Sequence, residues 1–385
     1  MRQGRCITLN LGLGRDSFCM LCLLLEGRLI AQGQPLALPD ITAVVTSDTG
    51  EEWDFTYANL PLVQELCRQA GLRFLHLRKP AAEGDKGWQA WLDAKASAKA
   101  RGEWLEPFWR DDAPASIEAR AASGYYHLRP PIMDDYGSRC TTISLKRQDC
   151  TSNHKIGPIR RLLEDLAHAI FGVESNAAWG RDVRRGVRKP HLTLIGYAAD
   201  ENHRFEDVPK GAWYVEEAYP LVELGVSKAA EEPILARWHL SHVRKSGCVM
   251  CPFQPVGWYW ALKHVDPETY ARVFAYEQRS VASNPRMTVL PGGTPLEEAI
   301  TRWRAKNPDA TIDDVLNKRY ERCKTKHLPG ESIAALPTLN SQLVMPLDGE
   351  ACASDPLLLS TMARVLLRSL GPASAPAETL PTDGW

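Results

Sequence analysis

The stretch "CITLNLGLGRDSFCMLCLLLE", residues 6–26, decides the fold. The apolar run 6–11 reads as a buried strand. Residues 17–26 read as a helix, with Gly27 suited to its C-terminal stop. Between them lies Gly12-Leu13-Gly14-Arg15-Asp16-Ser17. A glycine-rich turn between strand and helix presents backbone N–H groups to an anion. The helix dipole adds about half a positive charge at the same place, and glycine lets a ligand approach the main chain closely.

The flanking sequence continues the alternation. "ITAVV" (41–45) reads as a strand of β-branched residues, 54–71 as a helix ending on Gly71, and "RFLHL" (73–77) as a third strand. The pattern predicts an α/β fold with a doubly wound, mostly parallel sheet. Right-handed crossovers place every strand's C-terminal end on one edge, where a ligand binds. Residues 80–125, charged and rich in Ala and Trp, read as a helical insertion over the core, a lid by its position. Further along, 154–171 is amphipathic and helical, 191–197 a strand, and 257–264 and 267–280 helices. We expect a main domain over 1–285, a turn-rich and helical extension over 286–355, and a short helix (356–370) with a disordered tail to residue 385.

The 385 residues carry 46 basic and 47 acidic side chains, so the chain as a whole is not a basic nucleic-acid binder. One local basic run, "RDVRRGVRK" (181–189), is a modest electrostatic footprint of the kind that meets phosphates, though most such runs are solvated loops. No apolar run reaches the roughly 18 residues a membrane span needs, and the first residues lack a signal-peptide pattern. The expectation is a cytoplasmic protein with no membrane partner. Ten cysteines in such a chain point to metal or sulfur chemistry rather than disulfides. Cys6, Cys67 and Cys352 read as core residues. Cys19 and Cys22, among Phe, Met and Leu, read as helix packing despite their C-x-x-C spacing.

Three phosphate-loop types compete for residues 12–17. A Walker loop needs Gly-Lys-Ser/Thr, which is missing. The dinucleotide fingerprint needs a third glycine where Ser17 stands, and an acidic residue about 20 positions on. A loop ending in Asp-Ser fits best, and it resembles that of the PP-loop ATP pyrophosphatases, in the branch similar to phosphoadenosine-phosphosulfate (PAPS) reductases. That family often has Ser-Gly where Gly12-Leu13 stand here. Other segments resemble the same branch in the same order: "VVTSDTGEEWDFTYANL" (44–60), "QDCTSNHKIGPIRRLL" (148–163), "LIGYAADENHR" (194–204), 219–240, and "KSGCVMCPFQPVGWYWAL" (245–262).

The resemblance implies that Gly12, Leu13, Gly14, Arg15, Asp16 and Ser17 hold the pyrophosphate end of ATP, with Asp48, Thr49 and Gly50 near the nucleotide. ATP's α–β bond would be cleaved and a substrate adenylated, with Mg2+ assisting. Ser17 would donate to a phosphate oxygen, Asp16 would position the loop or contact the metal, and Lys155, Arg160 and Arg161 would face phosphates or an anionic substrate. Asp200 and Glu201 would hold Mg2+ or substrate, or pair with Arg204. The acceptor would be a nucleic acid or a small molecule, with a sulfur-donor protein as a further partner.

Cys248-x-x-Cys251-Pro252 has a spacing that brings two thiolates to one metal centre. Cys150 precedes a helix whose dipole favours a thiolate. In the branch resembled, these three positions carry cysteines and some relatives hold an iron–sulfur cluster. The ligand set is then Cys150, Cys248 and Cys251, with Cys323 or Cys140 as a fourth, and Zn2+ as the alternative metal. Two other functions stay open. One is a PAPS reductase-like activity, for which "ERCKTKH" (321–327) has the ingredients but not the spacing of the family's C-terminal cysteine motif. The other is a non-catalytic nucleotide-binding subunit of a modification or defence assembly.

Overall fold

The structure, a computed structural model, describes residues 4–80, 84–111, 113–143, 149–201 and 212–317, without the side chains of 84–89. Cys323, Cys352, Arg204, the 356–370 helix and the tail lie outside the described residues.

Seven strands are described: β1 (Ile7–Asn10), β2 (Ile30–Ala31), β3 (Gln34–Pro35), β4 (Ala43–Ser47), β5 (Phe74–Leu77), β6 (His191–Ile195) and β7 (Val215–Ala218). Five form one parallel sheet in the order β5-β4-β1-β6-β7, and β2 and β3 make a small antiparallel ribbon. The fold is therefore α/β with a Rossmann-like parallel sheet. Strand order reverses between β1 and β6, which makes their C-terminal ends the switch point where such sheets bind ligands.

The helices needed below are α1 (Arg15–Leu25), α2 (Asp54–Tyr57), α3 (Leu60–Gln69), α4 (Gly84–Ala100), α5 (Ile117–Ser123), α6 (Ile132–Ser138), α7 (Gly157–Phe171), α8 (Asn176–Arg184), α9 (Pro220–Glu223), α10 (Lys228–Arg237), α11 (Val256–Val265), α12 (Pro267–Ser283), α13 (Leu296–Lys306) and α14 (Ile312–Asn317). Successive strand residues face opposite sides, and both sides are covered. Ile7, Leu9, Val44, Leu192 and Leu194 pack with α1, α3 and α10. Cys6, Ala43, Val45, Leu75 and Leu77 pack with α5 and α7. Burial on two faces explains why these strands are almost continuously apolar in sequence.

A third cluster lies off the sheet. It joins Trp53, Ile132, Met133, Tyr136 and residues 248–250 to α11, α12, α13 and α14, so residues up to 316 share a core with the Cys-x-x-Cys segment. Within the 80–125 stretch, α5 belongs to the layer covering the sheet: Ala121 is buried there and its carbonyl accepts from Arg78 N at 2.9 Å. Gly124 closes α5 at φ 87°, with Pro80 so near that a Cβ would stand 2.4 Å from its nitrogen. Cys6, Cys19, Cys22 and Cys67 are buried core residues, as read from the sequence. No described helix is long and apolar enough to cross a membrane.

Candidate functional site

The loop between β1 and α1 sits at the switch point. Leu13 is buried and holds a left-handed backbone (φ 58°), a costly conformation for a branched side chain. Its carbonyl is fixed by Asn59 Nδ2 at 3.2 Å. Gly14 is the N-cap of α1 and makes no side-chain cap hydrogen bond, so the first-turn N–H groups have no capping side chain. The Ser17 hydroxyl donates to Gly14 O at 2.8 Å. In this arrangement its proton faces the loop's own carbonyl rather than a ligand, while its backbone N–H stays in the first turn. Two close approaches shape the loop. A Cβ on Gly14 would lie 2.7 Å from both N and Oγ of Ser246. A Cβ on Gly196, just past β6, would lie 3.0 Å from Ser17 N. Ser246 therefore covers the loop, a contact the sequence reading missed because no spacing marks it.

Asp16 points toward α10. Its carboxylate meets Lys228 Nζ at 3.4 Å, and that amine also meets Glu201 at 3.2 Å. Glu231 completes the group. Burial and the Asp16 charge push its carboxyl up to about 9, and it donates a hydrogen bond to Asp16. Asp16 itself is raised by burial, against the pull of Lys228. One proton shared by two carboxyls, beside one lysine, thus limits negative charge next to a helix N-terminus. The Arg15 side chain leaves the loop: it pairs with Glu231 and Glu232 and donates to the carbonyls of Ser241 and Val243. Asp200 accepts from Lys228 N at 3.1 Å. Asp200 and Glu201 thus both anchor the start of α10. Neither Lys228 nor Glu231 was singled out from sequence, although both lie in the 219–240 segment that resembles the PAPS reductase-like branch.

Asp48, Thr49 and Gly50 follow β4 on the same edge. Asp48 Oδ1 accepts from Gly50 N and from Tyr57 Oη, each at 2.7 Å, which folds the turn; Gly50 takes φ 81°. Thr49 is buried and faces the cysteines: Cys248 Sγ donates to its hydroxyl at 3.3 Å, and that hydroxyl donates to Glu52 at 3.1 Å. Lys155 Nζ lies 3.7 Å from Glu52 and interacts with Cys150, Cys248 and Cys251 together. Burial raises all three thiols, and Lys155 draws each of them down. Lys155 therefore serves the sulfur cluster, not the loop. Arg160 also lies elsewhere. It interacts with Tyr214, which immediately precedes β7 at the opposite edge of the sheet. Arg161 Nε donates to Tyr126 O.

Three sulfur donors around one cation match in kind what a thiolate-ligated centre requires. Among the described residues, no group of three or more His, Cys, Asp or Glu side chains is arranged to hold a metal ion.

Beside the Asp48 turn, Lys79 is buried with its Nζ 2.8 Å from His154 Nδ1 and 3.2 Å from Arg129 O. His154 Nε2 lies 3.2 Å from Asp135 Oδ2, and Arg129 and Arg139 each meet that carboxylate at 3.1 Å. Burial moves Lys79 down to about 7 and His154 to about 4, and the surrounding donors hold Asp135 at about 2. No protein-family model matches the chain, and neither does any curated protein or solved structure.

Proposed function

We propose that this protein is a PP-loop-type enzyme that cleaves the α–β bond of ATP. Residues 12–17 would hold the leaving pyrophosphate while an acceptor takes the adenylate, as the activating step of an iron–sulfur-assisted sulfur transfer to a nucleic acid or small molecule. The observation that carries the reading is the loop itself. It lies at the switch point, passes through a left-handed Leu13, and opens on an α1 N-terminus without a side-chain cap. Backbone donors aimed at a developing anion stabilise a leaving group without reorganising.

The Asp16–Glu231 proton supports the reading, because a neutral Glu231 lowers repulsion of polyphosphate. Cys150, Cys248 and Cys251 are the residues that would hold an iron–sulfur or zinc centre, which would supply sulfur binding or structural bracing there. The test is pyrophosphate release from ATP-Mg2+, with transfer RNA, single-stranded DNA and small oxo-acceptors offered in turn. Release that depends on an acceptor and is lost in Gly14→Ala supports the proposal. ATP binding without release from any acceptor favours a non-catalytic nucleotide-binding subunit, and failure to bind ATP refutes the loop assignment.

A further inference from the structure

We propose that α8, the 185–190 connection and Trp213 form a docking surface for a single-stranded nucleic-acid segment. Its phosphates meet Arg181, Arg184, Arg185 and Lys189, and a base stacks at the Trp213 ring. This surface stands at the other edge of the sheet from the 12–17 loop, so it does not rest on the nucleotide reading. The 185–190 connection leads into β6 at His191, and Trp213 precedes β7 at Val215. Both are N-terminal strand ends, whereas the loop follows the C-terminal end of β1 in the same parallel sheet.

The run "RDVRRGVRK" (181–189) divides by contact. Asp182, its one acidic residue, is taken by Arg188 at 3.2 Å. Arg188 also lies over the rings of Trp179 and Phe171, at 4.8 and 5.5 Å, and roofs the small core beneath α8. Arg181, Arg184, Arg185 and Lys189 are exposed, and no acidic side chain among the described residues pairs with them. The backbone beneath them is fixed. Arg185 N donates to Arg181 O at 3.1 Å, Gly186 N to Val183 O at 3.0 Å and Val187 N to Asp182 O at 2.9 Å. The Trp179 indole donates to Lys189 O at 3.1 Å. The cations are thus presented at set spacing, which lowers the ordering cost of binding a polyanion. Three of them are arginines, whose planar guanidinium pairs bidentately with phosphate and stacks on aromatic rings.

Trp213 supplies what a merely solvated basic run lacks. Its indole is 41% exposed, with the Arg184 guanidinium 3.8 Å from the ring centroid. Gly180, one turn before Arg184 on the same helix stripe, lies against it: a Cβ there would collide with Cζ2, Cζ3 and Cη2 of the ring. Glycine inside a helix lowers helix stability, and here it makes room to seat an aromatic ring that stays open to solvent. Arg181 and Arg185 share an adjoining stripe. An exposed ring beside phosphate-binding cations is the combination that holds single strands, whose bases are free to stack. An acidic peptide would satisfy the cations but bring no base to the ring, and a duplex keeps its bases paired.

Fluorescence anisotropy with the full chain tests this, using labelled single strands of about 12 nucleotides, as RNA and as DNA. Binding of at least one is expected at about 50 mM salt. Log affinity should fall with log salt at a slope of about −3, and of about −1.4 in the double variant Arg181→Ala/Arg185→Ala. Trp213→Ala should weaken binding about five- to 100-fold with the slope unchanged. The strand should quench tryptophan emission in the wild-type protein, and Trp213→Phe should lose that quenching; this variant keeps a ring on Gly180 and serves if Trp213→Ala fails to fold. Binding of neither strand at low salt, an unchanged slope in the double variant, or quenching retained in Trp213→Phe overturns the site. So does a duplex of the same length bound as tightly, or a polyglutamate peptide that displaces the strand as well as unlabelled strand does, which would mark a surface for acidic protein. Excess ATP-Mg2+ should leave the anisotropy unchanged, and displacement by ATP would put the strand on the 12–17 loop and overturn this site. Failure to bind ATP refutes the nucleotide reading alone, since the binding, slope and quenching are read without nucleotide.

Discussion

Glu231→Gln gives the sharpest test of the electrostatics beneath the phosphate loop. Glu231 is buried, donates to Asp16, and has its carboxyl raised from 4.5 to about 9. A carboxyl raised on folding stabilises the native state most below its unfolded value, and that contribution is lost as pH climbs through the folded value. Each pH unit is worth about 1.4 kcal/mol, so holding the proton at pH 7 against an unfolded value of 4.5 costs no more than roughly 3 kcal/mol. Asp16 shares the same proton, which reduces the expected figure to about 1–3 kcal/mol. The glutamine amide donates to Asp16 as the protonated carboxyl does, but carries no such cost. Urea unfolding at pH 4.5, 7 and 9 should therefore show wild type and variant nearly equal at the lowest pH. The variant should be about 1–3 kcal/mol more stable at pH 7, and the gap should be wider at pH 9. A variant less stable than wild type at pH 7, or a gap that does not change with pH, would refute the shared proton.

Gly14→Ala forces a Cβ to within 2.7 Å of the Ser246 backbone. We expect ATP affinity to fall at least about tenfold and stability by about 1–3 kcal/mol, read by calorimetry and urea unfolding; unchanged binding would sever Ser246 from the loop. Gly196→Ala meets only main chain, at 3.0 Å from Ser17 N. It should destabilise by a similar amount of about 1–3 kcal/mol, and a neutral result would show that β6 and α1 separate easily. Cys248→Ser should lower iron or zinc per chain in anaerobically purified protein while its circular dichroism stays the same. Equal metal content would end the ligand assignment. Lys155→Met removes the cation that draws down three thiols, so alkylation by iodoacetamide at pH 8 should slow about threefold or more; faster alkylation would contradict the electrostatics.

The sheet was legible because its strands are buried on both faces and read as apolar runs between glycine-closed helices. Residues 6–11, 41–45 and 73–77 become β1, β4 and β5 with edges shifted by one or two positions. The 54–71 segment was less legible. It divides into α2 and α3, since Pro61 lies in the first turn of a new helix. The turn between β1 and α1 was visible in its glycines. Its immediate surroundings were not, because Ser246, Lys228 and Glu231 are brought in from distant positions by the crossovers. Periodicity reports which face is buried, not which distant side chain arrives there. Arg160 shows the converse: Pro158-Ile159-Arg160-Arg161 looked like one anion-facing unit, but helical spacing sends neighbouring residues to different sides, and Arg160 ends near Tyr214.

The segment 246–251 ties the two halves of the candidate site together. Ser246 lies on Gly14. Gly247 O accepts from Trp53 N at 3.4 Å and Val249 N donates to Glu51 O at 2.8 Å, which splices the segment onto the chain just after the Asp48 turn. Between those bonds, Cys248 donates to Thr49, whose neighbour Asp48 shapes the turn beside Lys79. A ligand that moves the loop must press on Ser246, and the nearest main-chain response is at Gly247 and Cys248. Conversely, drawing Cys248 toward Cys150 and Cys251 breaks its hydrogen bond to Thr49 and loosens the turn. The 12–17 loop and the thiols are thus linked by residues 246–251, which run on from Ser246 to Cys248 and then turn back through the 3.1 Å bond from Cys251 N to Cys248 O. If the loop binds the proposed nucleotide, its occupancy and the state of the sulfurs should therefore change together.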